Sequence, residues 1–121
     1  MEKLEEKEEQ DIRILFFHGR TFEYNQNRFT IAGFCTANLI KMGISICSND
    51  DNFVKAEGRK LAVKRLFVNG KESCNGKGVI SILAKTEKGQ ERKLFNRIAA
   101  SLQLMTKREL ISFFDIVKEE E

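Results

Sequence analysis

Arginine is the residue type in this chain with the clearest chemical use. Arg28 opens an apolar run just after a polar turn. Arg59 and Arg65 stand in a basic stretch with Lys55, Lys60 and Lys64. Arg97 falls in a later helical pattern with Arg92 and Lys93, and Arg108 follows Lys107 at a junction. A guanidinium binds phosphate through two parallel hydrogen bonds and stacks on aromatic or purine rings. Ten Phe and one Tyr are available as stacking partners. Arg28, Arg59, Arg65, Arg97 and Arg108 are therefore the candidate ligand-binding residues. A single arginine is more often a surface charge than a ligand, so the case rests on their number against so few compensating acids.

Signals for catalysis are weak. The one histidine, His18, precedes Gly19 at what reads as a hairpin tip, with no serine elbow beside it and no carboxylate at ligand spacing. Cys35, Cys47 and Cys74 are widely spaced, with no C-x-x-C or H-x3-H pattern to hold zinc. They read as reduced thiols. The glycines form neither a dinucleotide fingerprint nor a phosphate loop. The expectation is a binding protein that is not an enzyme, with no catalytic residue, no metal and no cofactor.

Charge is unevenly spread. Residues 1–12 hold six acids against two lysines, and residues 118–121 three acids against one lysine. The stretch between them is thus more basic than the whole chain's net +3. A basic body points to phosphates or other anions as partners. No apolar run approaches the ~20 residues of a membrane span, and the acidic start does not read as a signal peptide. The 121 residues suit an acidic tail over 1–10 and one domain over 11–121.

The pattern predicts an α+β fold. Residues 11–17 read as a first strand, turned at His18–Gly19 into a second over 20–25. A third covers 28–35, with Gly33 as a bulge, and a fourth covers 39–47. Residues 79–84 are Val- and Ile-rich and read as a fifth. The whole is an antiparallel meander of about four to five strands, packed against a central basic helix and a kinked C-terminal helical segment. The central helix is expected over 50–67, opened by Ser48 and Asp51 as a shortened capping box, with Gly58 where another backbone or a ligand comes close. Residues 68–78 hold two Asn-Gly pairs and read as a loop. A helix over 88–105 ends where Thr106 and Glu109 form a full capping box and start another. That last helix carries Leu110, Ile111, Phe113, Phe114, Ile116 and Val117, apolar on more than one face, which predicts a homo-oligomer.

The central stretch matches C-x3-D-x-F-x-K-x2-G-R-x2-A-x2-R through Cys47, Asp51, Phe53, Lys55, Gly58, Arg59, Ala62 and Arg65. With the strand-rich start and the kinked helical end, it resembles the first-described family of phage Thoeris anti-defence "sponge" proteins. Thoeris systems use a TIR-domain enzyme to convert NAD into a cyclic ADP-ribose isomer. That signal activates an NAD-depleting effector that kills the infected cell. The resemblance implies a protein that sequesters this glycocyclic ADP-ribose, and in some members cyclic oligonucleotides, without cleaving it. It implies dimers or higher oligomers with pockets at subunit interfaces, acting in the cytoplasm of the infected bacterial host. Within the motif only Arg59 and Arg65 are candidate ligands; Arg28 and Arg108 are favoured on chemical grounds, as arginines at element ends. The alternative is a phage nucleic-acid-binding or anti-CRISPR-like protein using its basic surface, although no helix-turn-helix spacing, zinc finger or long basic run is present.

Overall fold

The structure, a computed structural model, describes residues 13–47, 54–68 and 78–116. Ser48, Asp51, Phe53, Cys74, Val117, the acidic ends and the loop interior at 69–77 lie outside the described residues. The fold is α+β. Four antiparallel strands, β1 (Leu15–Arg20), β2 (Arg28–Cys35), β3 (Leu39–Ile46) and β4 (Val79–Leu83), form one sheet in sequential order. Helix α1 (Lys55–Val68) connects β3 to β4. Helix α2 (Glu91–Ser101), a single 3-10 turn (Leu102–Leu104) and helix α3 (Lys107–Phe113) complete the described chain.

Period-two alternation assigns the faces. On one face, Leu15, Phe29, Ile31, Ile40, Met42, Ile44 and Ile80 form a core with Phe95, Ala99, Leu102, Leu110 and Phe114 of the C-terminal helices. On the other, Ala32 and Val79 meet Ala62 and Leu66 of α1. Gly43 is what lets α1 approach. A Cβ there would lie 2.6 Å from the Ala62 carbonyl oxygen and 2.8 Å from the Leu66 nitrogen, so only a residue without a side chain fits. A close approach of helix to strand is thus found at Gly43.

Three expectations are corrected. His18 and Gly19 do not turn the chain: β1 runs through both, with His18 opposite Thr30 and Gly19 opposite Phe29. The hairpin turn is the segment 21–27, so residues 20–25 are not a strand of their own. It is closed by Thr21 and Asn27, whose backbones bond at 2.8 Å while the Thr21 hydroxyl accepts the Asn27 N–H at 2.9 Å. Gly33 is not a bulge: it keeps regular register with Leu15 and Met42, and its missing side chain makes room for the Phe95 ring. The helix expected from residue 88 begins at Glu91, after a turn in which Gly89 has φ +89°.

The junction before α3 is built as the sequence predicts. The Thr106 hydroxyl accepts the Glu109 N–H at 3.2 Å, and the Glu109 carboxylate accepts the Thr106 N–H at 2.9 Å. The same junction braces the hairpin turn. Lys107 N–H donates to Glu23 at 2.7 Å and Phe22 N–H to the Met105 carbonyl at 2.8 Å. A loop that closes one end of the sheet is therefore held by a helix start far away in sequence.

Candidate anion-binding site

The end of the β1–β2 hairpin brings two cations together. Arg20 and Arg28 are opposite one another in the ladder, on the α1 face of the sheet. The two arginines, with Tyr24, Asn25 and Gln26 of the turn, line a cavity of about 560 Å³ that is open to solvent. The Tyr24 ring is almost fully exposed. The cavity thus combines two guanidinium groups, an aromatic face and two amides. That is the donor set for a phosphate-bearing ligand with a planar ring.

A second polar row lies one pleat further along β1. His18, Thr30 and Ser45 are successive cross-strand neighbours on the α1 face. His18 Nδ1 lies 2.9 Å from the Thr30 hydroxyl. Helix α1 covers this row with its first turns: the Arg59 guanidinium sits 5.8 Å from the centre of the Phe16 ring, two residues from His18 on the same face. Burial pushes the His18 pKa below its usual value, and the charges of Lys55 and then Arg59 push it the same way. The imidazole is accordingly neutral at pH 7. His18 is a half-buried residue of β1, not the solvated tip residue that the turn assignment implied.

The other candidate arginines are placed elsewhere. Arg65 turns inward from α1 and donates to the Ile44 carbonyl at 2.8 Å. Its side chain fills the space over Gly78, whose φ of +92° and missing Cβ leave room for it. That interaction ties α1 to the sheet. Arg97 lines a smaller cavity of about 250 Å³ with Lys85, Thr86, Gln90, Lys93 and the carboxylate of Glu87. Arg108 is exposed on α3, next to the residue that braces the hairpin turn but not among the cavity walls. Arg28 and Arg59 therefore share a face, while Arg97 belongs to a separate cavity.

Sequence reasoning missed Arg20, Tyr24, Asn25 and Gln26. The signal was there: an exposed aromatic and consecutive amides flanked by two arginines, which a hairpin turn presents and a strand would scatter over both faces. For other chemistry the described residues offer little. No three His, Cys, Asp or Glu side chains among them are placed to hold a metal ion. Burial first, and Glu91 second, push the Cys35 thiol up, away from the reactive thiolate. No helix among the described residues is long and apolar enough to cross a membrane.

Fold and site together define an α+β domain that presents a cationic hairpin end beside a basic helix. No family model, no curated protein and no solved structure matches the chain.

Proposed function

We propose that this protein binds a phosphorylated nucleotide and holds it without chemical change. The observation that carries this reading is the cavity in which Arg20 and Arg28 face each other beside the exposed ring of Tyr24. Its volume lies within the range usual for small-molecule sites. The guanidinium pair suits phosphate, and Tyr24 suits a base. The particular ligand we propose is a cyclic ADP-ribose-type immune signal, or a cyclic oligonucleotide. The protein would then act as a phage anti-defence sponge in the cytoplasm of an infected bacterium. The motif from Cys47 to Arg65 supports that assignment. An open cavity needs a cover, and we assign it to a second copy of the chain. Exposed Phe22, Leu104 and Phe113 around the braced turn and α3 support such an interface.

The test is to incubate purified protein with a panel of cyclic ADP-ribose isomers and cyclic oligonucleotides, remove the protein by filtration, and assay the free ligand. The protein is then heat-denatured and the ligand assayed again. Ligand that disappears and returns intact is the expected result, with Arg20→Ala and Arg28→Ala each weakening the capture. Ligand that returns altered would show an enzyme. No capture of any panel member, combined with binding to duplex DNA or RNA that weakens steeply with salt, would replace this reading with the nucleic-acid one.

A further inference from the structure

The cavity that holds Arg97 lies at the opposite end of the sheet from the Arg20–Arg28 pair. β2 starts at Arg28 and ends at Cys35, and the turn after it carries Ala37, whose carbonyl accepts the Thr86 N–H at 3.1 Å. A bond from the Ala84 N–H to the Asn38 carbonyl, at 3.0 Å, pins the same segment. The chain then turns through Gly89, with the Gln90 N–H donating to the Glu87 carbonyl at 2.9 Å, and enters α2. One wall of the cavity is this tethered segment, and the other is the start of α2.

Cations line it from both walls: Lys85 from the segment after β4, and Lys93 and Arg97 from α2, where a spacing of four residues puts them on one face. All three are exposed, and among the described residues none of them is ion-paired. Glu87 is the one acid among the described lining residues. The neighbouring Glu91 turns its carboxylate to the Gly89 N–H at 2.9 Å. Thr86 adds a hydroxyl closed off from water beside the Cys35 thiol, a weak partner, with no stronger one among the described residues. No aromatic ring is among the described lining residues, and the volume of about 250 Å³ is under half that of the hairpin cavity. Converging cations without a stacking surface suit a compact, multiply charged anion and not a base.

We propose that Lys85, Lys93 and Arg97 form a binding site for a compact phosphate anion of the pyrophosphate class, separate from the hairpin cavity. This site goes beyond the nucleotide reading and does not rest on it. The arginine presents a planar fork that fits two oxygens of one phosphate group, and the lysines act as point charges. The start of α2 adds positive potential on the same side. The backbone tethers hold the 85–90 wall in place, so little ordering is left to oppose binding. Exposed charges make the affinity fall as salt rises. The Glu87 carboxylate opposes the anion, so removing its charge strengthens binding. A purely structural role for these side chains would not produce that sign.

The test is an NMR titration of the full chain with sodium pyrophosphate, followed at the Thr86, Gln90 and Lys93 amides, with sodium chloride at matched ionic strength as the control. The expected result is that these amides shift saturably with pyrophosphate and not with chloride. Lys93→Gln combined with Arg97→Gln should weaken binding by about tenfold or more, the effect of losing charge-assisted contacts. Glu87→Gln should tighten it roughly twofold, the scale of one exposed charge. Arg20→Ala, at the other end of the sheet, should leave the shifts unchanged. The amide spectrum also checks that each variant is folded. Shifts that never saturate, or that chloride reproduces, overturn the site. So does a double variant that binds as tightly as the wild type, a Glu87→Gln variant that binds more weakly, or loss of the shifts in Arg20→Ala. The chain's single tyrosine, Tyr24, reports on the hairpin cavity alone. A Tyr24 ring that ignores every cyclic nucleotide overturns the nucleotide reading and leaves this site standing.

Discussion

The two faces of the sheet differ in what their side chains are made of. On the face toward the C-terminal helices, Phe29, Phe95 and Phe114 are buried together with Leu, Ile, Met and Ala side chains. On the face toward α1, the apolar cluster is small, and it gives way at the hairpin end to His18, Thr30, Ser45, Arg20 and Arg28. Both faces are built from the same strands, with alternate residues going each way. One face supplies most of the apolar burial. The other carries exposed Arg20 and Arg28 beside the buried hydroxyls of Thr30 and Ser45. Stability and binding can therefore be perturbed separately, because successive residues of one strand serve different layers.

The largest effect should come from the apolar face. Phe95→Ala removes a fully buried ring and should cost about 3–5 kcal/mol in urea denaturation, enough to unfold a domain of ordinary stability. A loss under about 1 kcal/mol would mean that this face is not the main core. Next is Gly43→Ala, which should cost about 1–3 kcal/mol because the new methyl meets backbone atoms of α1 that cannot rotate away. If the variant melts like the wild type, α1 is not seated as described.

On the face toward α1, Arg28→Ala should weaken the proposed ligand capture about tenfold, the effect of losing one charge-assisted contact. Arg97→Ala, in the separate cavity, should leave capture unchanged. Equal effects of the two variants on capture would erase the distinction between the cavities. The smallest effect is a pH dependence. Because folding lowers the His18 pKa, the unfolded chain binds its proton more tightly. Stability is then complete above the unfolded value near 6.5 and declines as pH falls through the lower folded value. His18→Gln should flatten that part of the profile, and an unchanged slope would mean that other groups produce it.

Much of the fold was legible because its signals are local. The strand at residues 28–35 shows itself by alternation and apolar content, and the structure has it with those bounds. Thr106 and Glu109 announce a helix start through a hydrogen-bond pair that spans one turn, so the kink at α3 could be read directly. The fifth expected segment, at 79–84, was read as a strand from its Val and Ile content and forms β4. The error at His18–Gly19 has the opposite cause. Gly19 looks like turn punctuation, but its role is to admit the Phe29 and Phe17 rings and the Gln103 side chain, contacts that come from other elements. A glycine needed for space and one needed for a turn read alike in sequence.

The candidate site divides along the same line. That the chain is basic in its body and holds a single histidine was determined by the sequence alone, since composition and charge need no coordinates. Which arginines lie together was decided only by the tertiary structure. Arg20 and Arg28 meet because strand register puts them opposite one another, α1 settles on the sheet because Gly43 leaves it room, and Arg65 is turned inward to the Ile44 carbonyl. Electrostatic and steric terms act over a few ångströms, and residues that far apart in space are often many positions apart in the chain.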